Sequence, residues 1–176
     1  QEQIAAQAYV LAESLEECGI PAQIYSYCSI RGFTVMRIFK DYEEEQVGNE
    51  LFGYVAAGNN RDGLALRAAG YLMEASKKAK RILLVLTDAN PMDDQNIGEG
   101  AFYTNKEYTD QPAIEDTARE VQRLKQKEIQ VIGIFMGSAK SREAAREIFD
   151  RELVQIQNIN DFAGAVGRVL GEVMTP

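Results

Sequence analysis

The feature that most constrains this chain is the stretch Arg81–Asp94, RILLVLTDANPMDD. Its first part, Ile82-Leu83-Leu84-Val85-Leu86, is apolar without interruption. A strand with no polar face is covered on both sides, so the run predicts a central parallel strand between layers of helix. The run stops at Thr87-Asp88, and Pro91 and Asp93-Asp94 follow closely. In open α/β sheets the chain leaves the carboxyl end of such a strand beside a crevice, and ligands bind there. Asp88 therefore stands where a carboxylate can hold a hard cation. The same aspartate could instead close the next turn through its own side chain.

The flanking segments supply the helices and further strands. Gln3–Glu17 places Ile4, Ala8, Leu11, Ala12 and Leu15 at three- and four-residue spacing, an amphipathic helix stopped by Gly19 and Pro21. Gln23–Ser29 and Phe33–Lys40 read as two strands of an antiparallel hairpin at one edge of the sheet. Glu43-Glu44-Glu45 reads as a solvated face or a helix N-terminus, and Gly58–Gly63 as a loop. The helix after it carries Ala65, Ala68, Ala69, Leu72 and Ser76 on one stripe. Its closing cluster, Lys77–Arg81, complements the negative end of the helix dipole.

Ala89–Gln111 reads as a long structureless loop, and a loop of that length in a compact domain usually has a functional reason. Pro112 opens a helix to Lys127 with Ile114, Thr117, Ala118, Val121 and Leu124 inward. Ile129–Phe135 is a second buried strand, Ser141–Asp150 a short helix and Leu153–Ile156 a short strand. Asn160 caps a last helix. Helices alternating with strands predict a single α/β domain over residues 1–176: a doubly wound, mostly parallel sheet with an antiparallel edge.

Composition narrows the chemistry. A net charge of −8 argues against a nucleic-acid or anionic-membrane surface and suits divalent cations or a basic partner. No apolar run approaches the ~20 residues needed to span a bilayer. The absence of histidine excludes Ser-His-Asp and Cys-His catalysis and most zinc sites within this chain. Cys18 and Cys28 lack metal-ligand spacing and read as small core residues of a reducing, cytoplasmic compartment. No Walker A loop, dinucleotide-binding glycine motif or nucleophile elbow is present.

Three segments are expected at the carboxyl edge of the sheet: Asn59–Asp62, Asp88 with its following loop, and Met136–Lys140. Asp and Asn oxygens suit Mg²⁺, Mn²⁺ or Ca²⁺. Asp62 serves equally well as a cap for the helix after it.

Taken together, LLVLTDANPMDD and the preceding NNRDGLALRAAGYL resemble a von Willebrand factor A-type domain. The similarity is to the subgroup found in nitric-oxide-reductase activation proteins and a cobalt-chelatase subunit. That family's metal-ion-dependent adhesion site has three motifs: Asp-x-Ser-x-Ser, then Thr or Asn five residues before an Ala-Leu pair, then the Asp of a Thr-Asp-Gly. Here Asn60 stands five before Ala65-Leu66, and Asp88 lies in Thr87-Asp88-Ala89. Pro91-Met92-Asp93 and Ile114-Glu115-Asp116-Thr117 also resemble the subgroup. Ala89 departs from the family glycine, and no Asp-x-Ser-x-Ser occurs, so the first strand is expected to lie before Gln1.

The resemblance implies a non-enzymatic, Mg²⁺-, Mn²⁺- or Ca²⁺-dependent protein-interaction module. Asp88, Asn60 and Asp62 would serve the ion, with Asp93, Phe102 and Tyr103 facing a partner and Tyr108 as a further aromatic anchor. A partner carboxylate would complete the ion's shell. The partner class implied is a MoxR-type AAA+ ATPase, working on maturation or metal loading of another enzyme. Two alternatives stand beside it: a metal-dependent hydrolase or phosphotransferase on a similar fold, and a degenerate domain that binds without metal.

Overall fold

A computed structural model describes residues 2–31, 33–44, 46–99, 102–156 and 161–174 of the protein. The chain falls into two compact units. One comprises residues 1–27, 35–57 and 156–176, the other residues 28–34 and 58–155.

The first unit holds α1 (Glu2–Glu17), a 3-10 turn (Asn49–Gly53), α5 (Phe162–Met174), and most of β1 (Ile24–Ile30) and β2 (Phe33–Lys40). Ala5 and Ala12 of α1 are buried in one cluster with Phe39, Val47 and Leu51. Small residues on this face let the helix approach closely, while Ile4, Leu11 and Leu15 are only half-buried. The Lys40 ammonium is 1% exposed. It is neutralised by Glu16 at 2.6 Å and hydrogen-bonded to the carbonyls of Ala22 and Asp41, which is how a buried charge is tolerated.

The second unit is a parallel sheet flanked by helices. β3 (Arg81–Thr87) pairs with β6 (Ile129–Phe135), in register from Arg81 opposite Ile129 to Thr87 opposite Phe135. β6 also pairs in parallel with β7 (Leu153–Gln155). α3 (Asp110–Gln126) packs on α2 (Asp62–Glu74), α4 (Arg142–Phe149) and β6. Gly133 faces the Phe149 ring so closely that a Cβ there would collide with it. That contact seats α4 on β6.

Several expectations are corrected. β1 and β2 form their own two-stranded sheet rather than an edge of the parallel one. β3, expected in the middle, has β6 as its one paired neighbour among the described residues. The stretch 89–111 is not structureless: β4 (Asp93–Glu99) and β5 (Phe102–Tyr108) form an antiparallel hairpin with register shifts. Its strands, DDQNIGE and FYTNKEY, show no apolar alternation. Backbone pairing builds them, and the period-two signal that reveals a half-buried strand is missing. α3 starts at Asp110, leaving Pro112 in its first turn, where no intrahelical N–H is required.

Within α3, Ala113 and Glu120 are buried where Ile114 and Ala118 were expected. Glu120 survives burial because Arg67, at 2.5 Å, and Arg123 both pair with it. Cys18 is exposed rather than a core residue, and Cys28 is half-buried. Asn160 lies outside the described residues. No described helix is long and apolar enough to cross a membrane.

Candidate functional site

β3 delivers its last residues into two nested turns. The Thr87 Oγ1 accepts the Ala89 N–H at 2.9 Å, and the Asp88 Oδ1 accepts the Asn90 N–H at 3.2 Å. These are the local bonds by which short polar side chains close turns. Ala89 adopts φ 53°, the left-handed conformation that glycine takes freely, and is 2% exposed. A non-glycine residue in this conformation costs roughly 1 kcal/mol in backbone strain. The Met136 N–H donates to the Thr87 carbonyl at 3.0 Å, tying this end to β6. Gly137 lies against the same turn: a Cβ there would come 2.6 Å from the Asp88 carbonyl. The backbone is fixed from below while the Asp88 side chain is exposed.

A second loop is stapled alongside. Asn60 and Met92 exchange backbone hydrogen bonds of 2.7 and 3.0 Å. The Ser29 N–H donates to the Asn59 carbonyl at 2.6 Å, and the Ser29 Oγ accepts the Arg61 N–H at 3.0 Å. The Asn60 Nδ2 donates to Asp62 Oδ1 at 2.8 Å and to the Asn90 carbonyl at 3.3 Å. With the amide nitrogen so engaged, its oxygen occupies the other branch of the side chain. Asp62 sits in the first turn of α2 and is 4% exposed. The N-cap position is held by Arg61, which makes no side-chain cap hydrogen bond, and Asp62 follows it as the first helical residue.

Beneath these loops lies a network that sequence reasoning missed. Arg61 Nε pairs with Asp93 Oδ2 at 2.8 Å, with the two side chains 12% and 1% exposed. The Arg61 guanidinium also sits 5.3 Å from the centre of the Tyr108 ring, a geometry in which cation and ring face attract. The Tyr108 hydroxyl accepts the Gly63 N–H at 3.2 Å and donates to Asp116 Oδ2 at 3.1 Å. Gly63 leaves room for this: a Cβ there would strike the Asp116 carboxylate. Burial pushes the Tyr108 phenol well above its ordinary value, so it stays a neutral donor. Tyr108 therefore binds the start of α2 to α3 and is not a surface anchor. Asp93 is likewise turned inward on Arg61 rather than toward a partner. The signal for Arg61 was its place between the two oxygen-bearing residues Asn60 and Asp62; nothing in the sequence alone gave it Asp93.

The loops of Asn60 and Asp88 are brought together, and Gly137 of the third loop meets the Asp88 backbone. The side chains of Phe102 and Tyr103 lie outside the described residues. Among the described residues no three acidic or cysteine side chains gather closely enough to hold an ion by themselves. Asp88 and Asn60 each carry side-chain oxygens, on loops joined by the Asn60 Nδ2–Asn90 carbonyl hydrogen bond. Oxygen donors of this kind are the type that hard divalent ions take.

No family model matches the chain. It is 32% identical over 89 residues, 48% of its length, to an uncharacterised protein of Pseudomonas aeruginosa, PA0525. The match spans 14% of that protein's length. The fold is similar to that of the pilus adhesin SpaC from Lactobacillus rhamnosus GG, with a TM-score of 0.65 at 11% identity. That likeness covers 97% of this chain and 28% of the adhesin chain.

Proposed function

We propose that the chain is a divalent-cation-dependent protein-interaction module of the von Willebrand factor A type, with Asp88 and Asn60 on its binding surface. The observation that carries this reading is the two-way bridge between Asn60 and Met92, which holds Asn60 against the turn that presents Asp88. Two oxygen donors on loops locked from below form a preorganised but incomplete site. An ion held there has coordination positions left for other oxygens, and a carboxylate from a partner protein supplies one. Binding of partner and ion are then linked: each raises the apparent affinity of the other. Nothing in this arrangement calls for turnover. By its resemblance alone, the partner is a MoxR-type AAA+ ATPase and the task is maturation or metal loading of another enzyme.

A second reading is favoured by one specific contact. Asp88 already spends an oxygen on the Asn90 N–H, as a turn-closing aspartate does. On that reading the domain binds its partner without metal. Calorimetric titration with Mn²⁺ and with Mg²⁺ separates the two. The metal-dependent reading expects saturable binding that is lost in Asp88→Ala and weakened in Asn60→Ala. No heat in the native protein, or the same heat in Asp88→Ala, leaves the metal-free reading in place.

A further inference from the structure

Three segments run side by side around Asn60. Asn59 bridges Ser29 on one flank and Asn60 bridges Met92 on the other, both antiparallel. Residues paired across such a bridge point to the same face, and successive residues along a chain to opposite faces. Ser29, Asn59, Arg61 and Asp93 therefore share one face, and Ile30, Asn60 and Met92 share the other. Burial agrees: Ser29 and Asp93 are buried, whereas Ile30 and Met92 are 53% and 46% exposed. Phe33 follows Ile30 across a two-residue connection, whose flanking residues pair and share a face, and it is 75% exposed. All of these residues belong to the second unit. Single exposed apolar side chains are ordinary, but several together beside polar groups mark an interaction surface.

The margins of this face carry its charge. Exposed Arg31, held at φ 52°, lies on the Ser29 segment, and exposed Asp88 and Asp94 lie on the Met92 flank. With an ion bound at Asp88, that margin attracts a carboxylate, as the Arg31 margin does by itself.

We propose that this face selects the partner, and that its occupant is a segment of the partner protein with two acidic residues on either side of large aliphatic ones. One carboxylate completes the ion at Asp88 and Asn60. The aliphatic side chains pack on Met92, Ile30 and Phe33, and the second carboxylate meets the Arg31 guanidinium. The inference rests on the metal-dependent reading for the first carboxylate alone.

NMR titration of the protein in saturating Mg²⁺ with the capped peptide GGDLIEGG tests it. Millimolar peptide should shift the amides of Ile30, Arg31, Phe33, Asn60 and Met92. Phe33→Ser, Met92→Ser, or the peptide GGDSSEGG should each weaken binding about 10-fold, the loss expected of one desolvated apolar contact. Arg31→Gln should weaken it about 3-fold, as for an exposed ion pair. Phe33 and Met92 are exposed, so their substitution leaves Mn²⁺ binding at Asp88 unchanged. Mn²⁺ binding without peptide shifts at these residues overturns the face and spares the ion. So does peptide binding that is indifferent to Phe33→Ser and Met92→Ser. Peptide shifts that persist in Asp88→Ala and still fall in Phe33→Ser uphold the face and remove the ion from it. Concentration-dependent shifts of the same amides without peptide make a second copy of this chain the occupant and overturn the proposal.

Discussion

Asp88 and Asp93 are five residues apart, both just beyond β3, and their surroundings are opposite. Asp93 is buried, paired with Arg61, and linked through the Tyr108 ring to both helices behind it. Asp88 is exposed, with one oxygen closing a turn. The difference separates scaffold from surface. One carboxylate ties the loops together; the other is exposed on a turn whose backbone is hydrogen-bonded to β6. The proposed ion site would depend on such a division, because ordering a donor on binding subtracts from the affinity it supplies.

The sharpest way to break this comparison is to remove Arg61. Arg61→Ala takes the guanidinium away from a buried Asp93 carboxylate and should destabilise the protein by about 3–5 kcal/mol, read as a fall in the denaturant midpoint. Arg61→Met with Asp93→Leu fills the same space without charge and should recover most of that loss. Asp88→Ala should change stability by less than about 0.5 kcal/mol. If Asp88→Ala is as damaging as Arg61→Ala, the two carboxylates do not differ in role.

Gly137→Ala acts between the two regions. Its methyl would press on the Asp88 carbonyl, and overpacking of this kind costs about 1–3 kcal/mol. It should also weaken cation binding, because it displaces the Asp88 backbone and not its chemistry. Tyr108→Phe leaves the Gly63 N–H without its acceptor and should cost about 1–3 kcal/mol.

Tyr108→Phe also has a pH signature. The folded-state value of Tyr108 is raised above its ordinary 10.0. Its contribution is therefore complete below pH 10 and is lost as pH rises above that, where the unfolded chain ionises and the fold does not. Chemical denaturation from pH 9 to 11.5 should show a shallower decline in Tyr108→Phe than in the native protein. The smallest expected effect is that of Ala89→Gly. Relief of roughly 1 kcal/mol of left-handed strain is offset by the greater freedom of glycine when unfolded, for a net change within about 0.5 kcal/mol.

The limits of sequence reading follow the same division. Strands with strong apolar runs were legible: Ile129–Phe135 is β6 from end to end, and Phe33–Lys40 is β2. The turn-closing alternative for Asp88 was legible too, since it needs only a short side chain and its neighbours. β4 and β5 were not, because their polar strands are joined by main-chain bonds that any side chains permit. Nor was the pairing of β3 with β6 alone among the described residues, since an apolar run reports that burial is wanted and not which neighbours provide it. The Arg61–Asp93 pair spans 32 positions in sequence, and no local pattern connects its members. Asn60 and Asp88 were singled out by residue type and by resemblance. What holds them together, the Asn60–Met92 bridge, is again backbone.

Paramagnetic line broadening by Mn²⁺ tests the central claim most directly, since it reports on individual amides. The two-donor site predicts that substoichiometric Mn²⁺ broadens the amides of Asn60 and of Asp88 to Asn90 first, and that Asp88→Ala abolishes this selectivity while the spectrum of the fold is retained. Broadening centred on the acidic run Glu43–Glu44, or an unchanged pattern in Asp88→Ala, would contradict it.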